Sequence, residues 1–351
     1  MPLPTDRVPQ PGQTAFVTGV TGFIGRRLVQ ILQAEGWNVT CGVRPGSNWR
    51  MPPGNNVRVV ACDLLGTGGP SVPAGTDVVF HLAGKAHALA EIAQDESEYA
   101  EINTGGTRLL LEAARKAGVR AFVFFSTVKA AADAPAAAQP IDESWAGQPD
   151  TSYGRSKRDA ERLVLEGNHA PHPVVIRPCL VYGPHPKGNL EKMIEAVRRN
   201  RFPPLPETGN KRSMVHLDDV CRAAILAATS PAAGKKTYIV ADDEPISTRQ
   251  LFVWMSEALG KPVPRWTLPL WMLRVLGWSG DFIGKARGRR FVFDSEALAK
   301  LTGSACYSAA AIKRDLGWCP SHRLRDELKK MVADDATVAR ETAAIPERSR
   351  V

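Results

Sequence analysis

The sequence predicts an α/β fold: a doubly wound parallel sheet, followed by a smaller and mainly helical C-terminal part. Three observations carry that expectation. An apolar run, Ala15-Phe16-Val17, is followed by Gly19, Gly22 and Gly25, and then by Phe23, Ile24, Leu28, Ile31 and Leu32 at helical spacing, so the order is strand, glycine turn, helix. Strand-like runs then alternate with helical stretches as far as Gly183, the pattern of parallel strands joined by helical crossovers. Beyond Gly183 the alternation loosens and helical periodicity prevails.

After the first strand and helix, Asn38–Val43 reads as strand two, Val57–Ala61 as strand three and Asp77–Leu82 as strand four, running into the small-residue turn Ala83-Gly84-Lys85. Asn103 begins a long helix through Ala117, where it is open to a plain helix-start role. Strand five, Ala121–Phe125, leads to Ser126-Thr127. A helix opens at Tyr153 and runs to about Gly167, and strand six is Val174–Arg177. Further on, Leu190–Arg199 reads as a helix, Phe202–Gly209 as a proline-rich loop, Met214–His216 as a short strand, Asp219–Ala228 as a helix and Thr237–Val240 as a strand. Helices are expected over Leu251–Leu259, Leu270–Leu276, Tyr307–Leu316 and Leu324–Val332. The expected organisation is a loose leader over 1–13, a sheet domain over 14–183 to which 213–243 returns, a second part built from 184–212 and 244–332, and a charged tail over 333–351.

With 351 residues, 44% of them hydrophobic, the chain has ample material for such a core. The net charge of +9 suits anionic small ligands or simply a basic solvated surface. No zinc-finger spacing and no dense Lys/Arg block argues for nucleic acid. Six scattered cysteines without a C-x-x-C pair read as reduced thiols of a cytoplasmic protein, and the N-terminus shows no apolar signal-peptide core. Trp266–Gly284, the most apolar segment, is interrupted by Pro269, Arg274 and Asp281, so no membrane span is expected. Trp254, Trp266, Trp271 and Trp278 are expected in helix-packing core or in a cavity wall, with a hydrophobic surface for a partner or membrane face as the alternative.

The glycine turn carries the first chemistry. It places free N–H groups and the positive end of a helix dipole where a pyrophosphate can sit, with no Cβ in the way of close approach. That is the Rossmann-type solution to dinucleotide binding. The end of strand two then decides the adenosine ribose: a carboxylate there suits a free 2′-hydroxyl, and an arginine accommodates a 2′-phosphate. Here Val43 is followed by Arg44, with no acid, which favours NADP over NAD.

The second chemistry is the pair Tyr153 and Lys157, one helical turn apart on one face. A free phenol has a pKa of ~10. A neighbouring ammonium favours phenolate and lowers that value, so the tyrosine can exchange a proton with a substrate hydroxyl near neutral pH. Glycine turn first, Ser126-Thr127 at the end of strand five, and Tyr153-Gly154-Arg155-Ser156-Lys157 after it: in this order the chain resembles the extended short-chain dehydrogenase/reductase superfamily, in its NAD-dependent epimerase/dehydratase branch that acts on nucleotide sugars.

The resemblance implies roles. Thr127, Tyr153 and Lys157 would be catalytic, with Ser126 next to them on the substrate. Gly19, Gly22, Phe23, Ile24, Gly25, Arg44, Asp63, Leu64, Leu82, Ala83, Gly84, Lys85, Asn103 and Pro178 would hold the cofactor together with Tyr153 and Lys157. Lys85, Leu180, Asn189, Leu190, Leu205 and Arg212 would meet the substrate, with Arg212 on its diphosphate, and a second arginine would come from Arg287, Arg289 or Arg290, of which Arg290 is selected. Asp219 is expected to be a structural helix-start carboxylate. No metal ligand set is expected, and dimerisation through a helix pair is a further implication.

The chain departs from the sugar 4-epimerases of that family at Val43-Arg44, at Leu180 and at Lys129-Ala130-Ala131. The wording of His81–Gly84, Phe122–Lys129 and Arg212–Val220 is closer to a bacterial O-antigen subgroup of UDP-N-acetylhexosamine 4-epimerases and 4-ketoreductases. Dehydration is disfavoured, because Val128-Lys129 stand where 4,6-dehydratases carry an acid pair. The expected activity is hydride movement at C4 of a UDP-hexose or UDP-N-acetylhexosamine. The alternatives are an NADP-dependent reductase or dehydrogenase of a non-sugar alcohol or ketone, and a non-catalytic NAD(P)-sensing protein.

Overall fold

Seven strands pair in parallel throughout, in the order β3-β2-β1-β4-β5-β6-β9. They are β1 (Thr14–Thr18), β2 (Asn38–Val43), β3 (Val57–Ala61), β4 (Val78–His81), β5 (Ala121–Phe125), β6 (His172–Pro178) and, from late in the chain, β9 (Lys236–Val240). The computed structural model describes residues 13–47, 49, 54, 56–85, 95–132, 139–186, 188–288, 291 and 293–332. The expected tail and nearly all of the expected leader lie outside them, as does Arg290.

Both faces of the inner strands are covered, which is why β4 and β5 read as apolar runs, whereas the edge strand β3 is largely exposed. Successive side chains take opposite faces. Ala15, Val17, Phe80, Val123 and Ile176 join one core, and Phe16, Val79, Phe122, Phe124 and Val175 the other. Helices α1 (Phe23–Ala34) and α6 (Leu217–Thr229) cover the first face, and α3 (Gly106–Lys116) and α4 (Ser152–Glu166) the second. Arg27 of α1 grips Asp218 of α6 with two bonds of 2.7 Å, tying the late helix to the early one.

Two elements correct the sequence expectation. Asn103 does not start a helix: α2 (Asp95–Tyr99) runs into a π-helical turn, Ala100–Gly105, which contains Asn103 and continues into α3. The expected Leu270–Leu276 helix extends to Ala286 as α8, and α9 (Ser295–Thr302) follows it. Glycines that lower helix propensity hide this length in the sequence, but here they allow close packing: a Cβ on Gly280 would stand 2.0 Å from the Phe293 carbonyl oxygen.

The C-terminal part has its own core. It packs α5 (Asn189–Arg198), α7 (Thr248–Ala258) and a helix over 324–332 around Tyr182, Leu190, Ile194, Phe252 and Leu328. A small sheet of β7 (Leu180–Tyr182) and β8 (Met214–His216) joins the two parts, and α10 (Ala310–Leu316) returns to the first core through Ile312. Trp254 is half-buried against the second core. Trp266, Trp271 and Trp278 are not core: they are 63%, 65% and 76% exposed.

Helix α4 is held at both ends. Thr151 caps its start by accepting the Gly154 N–H at 3.1 Å. Near its end, buried Glu161 accepts two bonds, 2.8 and 2.6 Å, from buried Arg177 of β6. Arg177→Met leaves Glu161 uncompensated and is expected to cost about 3–5 kcal/mol in urea unfolding. Glu161→Leu combined with Arg177→Met is expected to recover most of that loss; a double variant as unstable as the single would contradict the assignment.

Candidate active site

Strand order reverses between β1 and β4, and in a doubly wound sheet a ligand crevice opens beyond the carboxyl ends of such strands. The glycine turn lies there. Gly19 has φ +74°, and a Cβ on it would stand 2.6 Å from the Leu82 and Ala83 backbone. A Cβ on Gly25 would stand 2.2 Å from the Gly19 carbonyl oxygen. The turn therefore folds back tightly on itself and on the end of β4. Gly22 is the N-cap of α1, so the first N–H groups of α1, from Phe23, Ile24 and Gly25, have no intrahelical partner. Arg44 is exposed after β2, and Asp63 follows β3, where its carboxylate accepts the Leu65 N–H at 3.2 Å. Leu64 packs on Gly106 at the start of α3.

A buried chain of polar groups runs from this turn to α4. The Ala83 N–H donates to Thr18 Oγ1 at 3.3 Å. Thr18 Oγ1 and His81 Nδ1 share a 2.7 Å bond, and His81 Nε2 and Thr107 Oγ1 a 3.0 Å bond. Thr107 donates to the Asn103 carbonyl at 2.5 Å. Asn103 accepts the Lys85 N–H at 2.8 Å and donates to the Lys85 carbonyl at 3.2 Å and to Ser156 Oγ at 3.0 Å; Ser156 in turn donates to the Tyr153 carbonyl at 2.9 Å. Because Thr107 donates onward, it accepts from His81 Nε2–H, which leaves Nδ1 to accept from Thr18. These directions fit a neutral imidazole with the proton on Nε2. Burial, and then the charge of Lys157, hold its pKa down at about 3.

Sequence reasoning singled out Asn103 but missed His81, Thr107 and Ser156 as its supports. The available signal was polar residues inside otherwise apolar or helix-core positions.

Lys157 is buried, with its ammonium 4.3 Å from the Phe124 ring centroid. Burial lowers its pKa to about 8, opposed by nearby Glu161. The Tyr153 ring lies 5.9 Å from that of fully buried Tyr99. Gly84 adjoins this group: a Cβ there would stand 2.7 Å from Asn103 Oδ1 and 3.7 Å from Lys157 Nζ. The start of α4 presses on the turn after β5, because a Cβ on Gly154 would stand 2.5 Å from the Lys129 carbonyl oxygen. That 3₁₀ turn, Val128–Ala130, is capped by Thr127, whose side chain accepts the Lys129 N–H at 3.3 Å. The Ser126 hydroxyl is buried without a hydrogen-bond partner among the described residues.

The expected substrate residues divide. Lys85 pairs with Glu98 at 2.5 Å and lies over the Tyr99 ring. Pro178 ends β6, and Leu180 and Asn189 are exposed at the starts of β7 and α5. Leu190 and Leu205 are 3% and 2% exposed, in the C-terminal core and in a cluster with Leu273 and Leu298 respectively. Arg212 donates to the Lys300 and Gly303 carbonyls at the end of α9, at 2.5 and 3.3 Å. Asp219 is the expected structural carboxylate, accepting from Ser321 at 2.6 Å and from the His322 N–H at 3.1 Å. His216, His322 and Glu327 also gather within 4.8 Å. The two rings stack with centroids 3.9 Å apart, and the Asp218 N–H donates to His216 Nδ1, so their in-plane lone pairs do not converge on one ion.

The family model described as "NAD dependent epimerase/dehydratase family" matches residues 15–241. UDP-glucose 4-epimerase of Vibrio cholerae is 29% identical over 326 residues, covering 91% of this chain and 94% of that protein. The 3-diazoavenalumate denitrifying reductase of a Streptomyces species is 33% identical over 324 residues, covering 88% and 96%. Among solved structures, UDP-glucose 4-epimerase of Thermotoga maritima with UDP-glucose shares the fold, with a TM-score of 0.69 at 22% identity over 93% of this chain and 99% of that one.

The neutral His81 gives the site a pH signature. Its folded pKa lies below the unfolded value of ~6.5, so between those values the unfolded chain binds the extra proton. Its contribution to stability is complete above pH ~6.5 and falls by about 1.4 kcal/mol per pH unit as pH drops toward 3. Urea unfolding from pH 7 to 4 is expected to show an acid slope that His81→Gln makes shallower by one proton; an unchanged slope would contradict the neutral relay.

Proposed function

Because the chain belongs to the NAD dependent epimerase/dehydratase family, we propose that it is a nucleotide-sugar enzyme that moves hydride at C4 of a UDP-hexose or UDP-N-acetylhexosamine, as a 4-epimerase or a 4-keto-sugar reductase. One observation carries the reading: Tyr153 and buried Lys157 share one face of α4, and a hydrogen-bonded chain fixes that face to the glycine turn. Gly19, Gly22 and Gly25 let the turn close tightly at the start of α1, whose first N–H groups suit a pyrophosphate, and Gly84 keeps the space beside Lys157 and Asn103 free of a Cβ, so the residues fit a nicotinamide dinucleotide. That cofactor, when bound, supplies the hydride acceptor and donor. Arg44, exposed after β2 with no acid beside it, supports NADP over NAD.

The chain's own groups handle the proton and the oxygen. Tyr153 takes the proton from the C4 hydroxyl, or returns it to the 4-ketone. Lys157, its charge confined in an apolar setting, stabilises the phenolate and holds the nicotinamide ribose. Thr127, and Ser126 with its uncommitted hydroxyl, hydrogen-bond the oxygen as it changes between alcohol and ketone. Asp63 meets the adenine, and Lys85, Leu180, Asn189 and Arg212 border the sugar nucleotide. Six free thiols, four of them buried, support a cytoplasmic setting.

A second reading, an NADP-dependent reductase of a non-sugar ketone, is favoured by two observations. A relative from Stigmatella aurantiaca named as a ketoreductase of a quinoline oxide is 30% identical over 77% of this chain, and the Streptomyces protein, 33% identical, is likewise named as a reductase of a non-sugar compound. The guanidinium of Arg212, the proposed diphosphate ligand, is tied to α9 carbonyls, and burial lowers its pKa.

The test is to incubate the protein with UDP-glucose, UDP-galactose and their N-acetyl counterparts, with and without NAD(P), and to follow C4 inversion by proton NMR. Inversion or cofactor-dependent oxidation of at least one is expected, and Tyr153→Phe is expected to lower turnover about 10²–10⁴-fold while cofactor still binds. No turnover of any of them, combined with NADPH-dependent reduction of aryl or alkyl ketones, would select the second reading. A Tyr153→Phe variant with full function would favour a sensing protein.

A further inference from the structure

Helix α8 is built inside out. Leu273, Gly277 and Gly280 face the protein and are buried, and the glycines bring the helix against the backbone of Phe293–Ser295. At ~100° per residue the opposite face is the stripe Trp271, Val275, Trp278 and Phe282. These side chains are 65%, 54%, 76% and 75% exposed, and Trp266, just ahead of the helix, is 63% exposed. An ordinary surface helix turns its large apolar residues inward; this one turns small residues inward and aromatic ones out.

The rim of the stripe is cationic. Arg274 and Lys285 lie along one edge of it, Arg265 and Arg287 stand at its two ends, and all four are exposed. Asp281 is the only acid in α8, and its carboxylate accepts the Ser295 N–H at 3.1 Å. A face of Trp and Phe edged by Lys and Arg is the composition of helices that lie in the plane of a bilayer interface, with rings at headgroup depth and cations on anionic lipid. None of the described helices is long and apolar enough to cross a membrane, and α8 has 17 residues, so the geometry is that of lying on the bilayer.

We propose that α8 docks this protein on an anionic lipid surface. Charge complementarity selects that occupant over a second copy of the chain. A second copy of the helix offers these cations no free acid, because the one acid on the helix is already engaged; the chain as a whole carries +9. Through Leu273 the helix packs on Leu205 and Leu298, and Arg212 bonds the end of α9. Docking therefore sets the C-terminal half of the candidate site beside the bilayer.

The test is cosedimentation of the full-length protein with vesicles of phosphatidylglycerol and, separately, of phosphatidylcholine alone. Binding to the anionic vesicles is expected, with a blue shift of tryptophan emission and weakening at high salt. Trp271→Ser, Trp278→Ser and Phe282→Ser combined are expected to reduce binding at least about ten-fold. Their thermal unfolding is expected to stay near wild type, because the three side chains face solvent. Arg274→Glu with Lys285→Glu is expected to weaken binding to phosphatidylglycerol while leaving the solution oligomeric state unchanged. Failure of the wild-type protein to sediment with phosphatidylglycerol would overturn the proposal, as would equal binding by the triple serine variant. A wild-type oligomer in light scattering that the triple variant dissolves would also overturn it, assigning the face to a second copy.

Discussion

The organisation of the candidate site depends on a neutral imidazole in a place where a charge is hard to accommodate. His81 sits fully buried at the end of β4, with Thr18 on one ring nitrogen and Thr107 on the other. Thr18 belongs to the strand that delivers the glycine turn, and Thr107 to the helix that carries Asn103 into place. Asn103 then closes the chain onto Ser156, between Tyr153 and Lys157 in sequence. Each group has a donor and an acceptor assigned, so rotation of one member leaves a buried polar atom unsatisfied, at a cost of about 1–3 kcal/mol. The π-helical turn serves the same end. By inserting a wider turn between α2 and α3 it aims Asn103 at both the Lys85 backbone and α4, and such turns are frequent at functional sites.

Electrostatics follows from this frame. Lys157 is surrounded by apolar groups, chiefly the Phe124 ring, and its nearest acid, Glu161, is committed to a two-bond pair with Arg177. The ammonium is therefore polarised by Glu161 without being paired to it. Its lowered pKa, about 8, still leaves it cationic at neutral pH. His81 on the same side stays uncharged partly because Lys157 is charged. The buried Lys157 lies one turn from Tyr153 on the same face of α4. The same sheet end carries the glycine turn, so the first N–H groups of α1 and the start of α4 are held on one edge of the fold.

Much of this was legible from residues alone. The strands Asn38–Val43, Val57–Ala61 and Ala121–Phe125 match their expected bounds, because each is an apolar run between polar or glycine breaks. The glycine spacing and the Tyr153/Lys157 pair stand out in the sequence because dinucleotide binding and proton transfer call for those residue types. What escaped did so for physical reasons. The π turn has no hydrophobic period to read. Gly277 and Gly280 look like helix breakers until their close packing on Phe293–Ser295 is seen. That Leu190 and Leu205 point into packed clusters is not told by their positions in a resembled family. The tryptophans were assigned inward because most apolar residues are; only the structure shows that α8 reverses the rule.

The account turns on a nicotinamide dinucleotide held between the glycine turn and Lys157. Calorimetric titration of NADPH and NADH into the wild-type protein and into Lys157→Met tests that most directly. The expected result is saturable binding to the wild type, tighter for NADPH because of Arg44, with a loss of about ten-fold or more, roughly 1.4 kcal/mol, in the variant. Wild-type protein that binds neither dinucleotide after its bound nucleotide has been stripped, or a variant that binds both as tightly as the wild type, would contradict it.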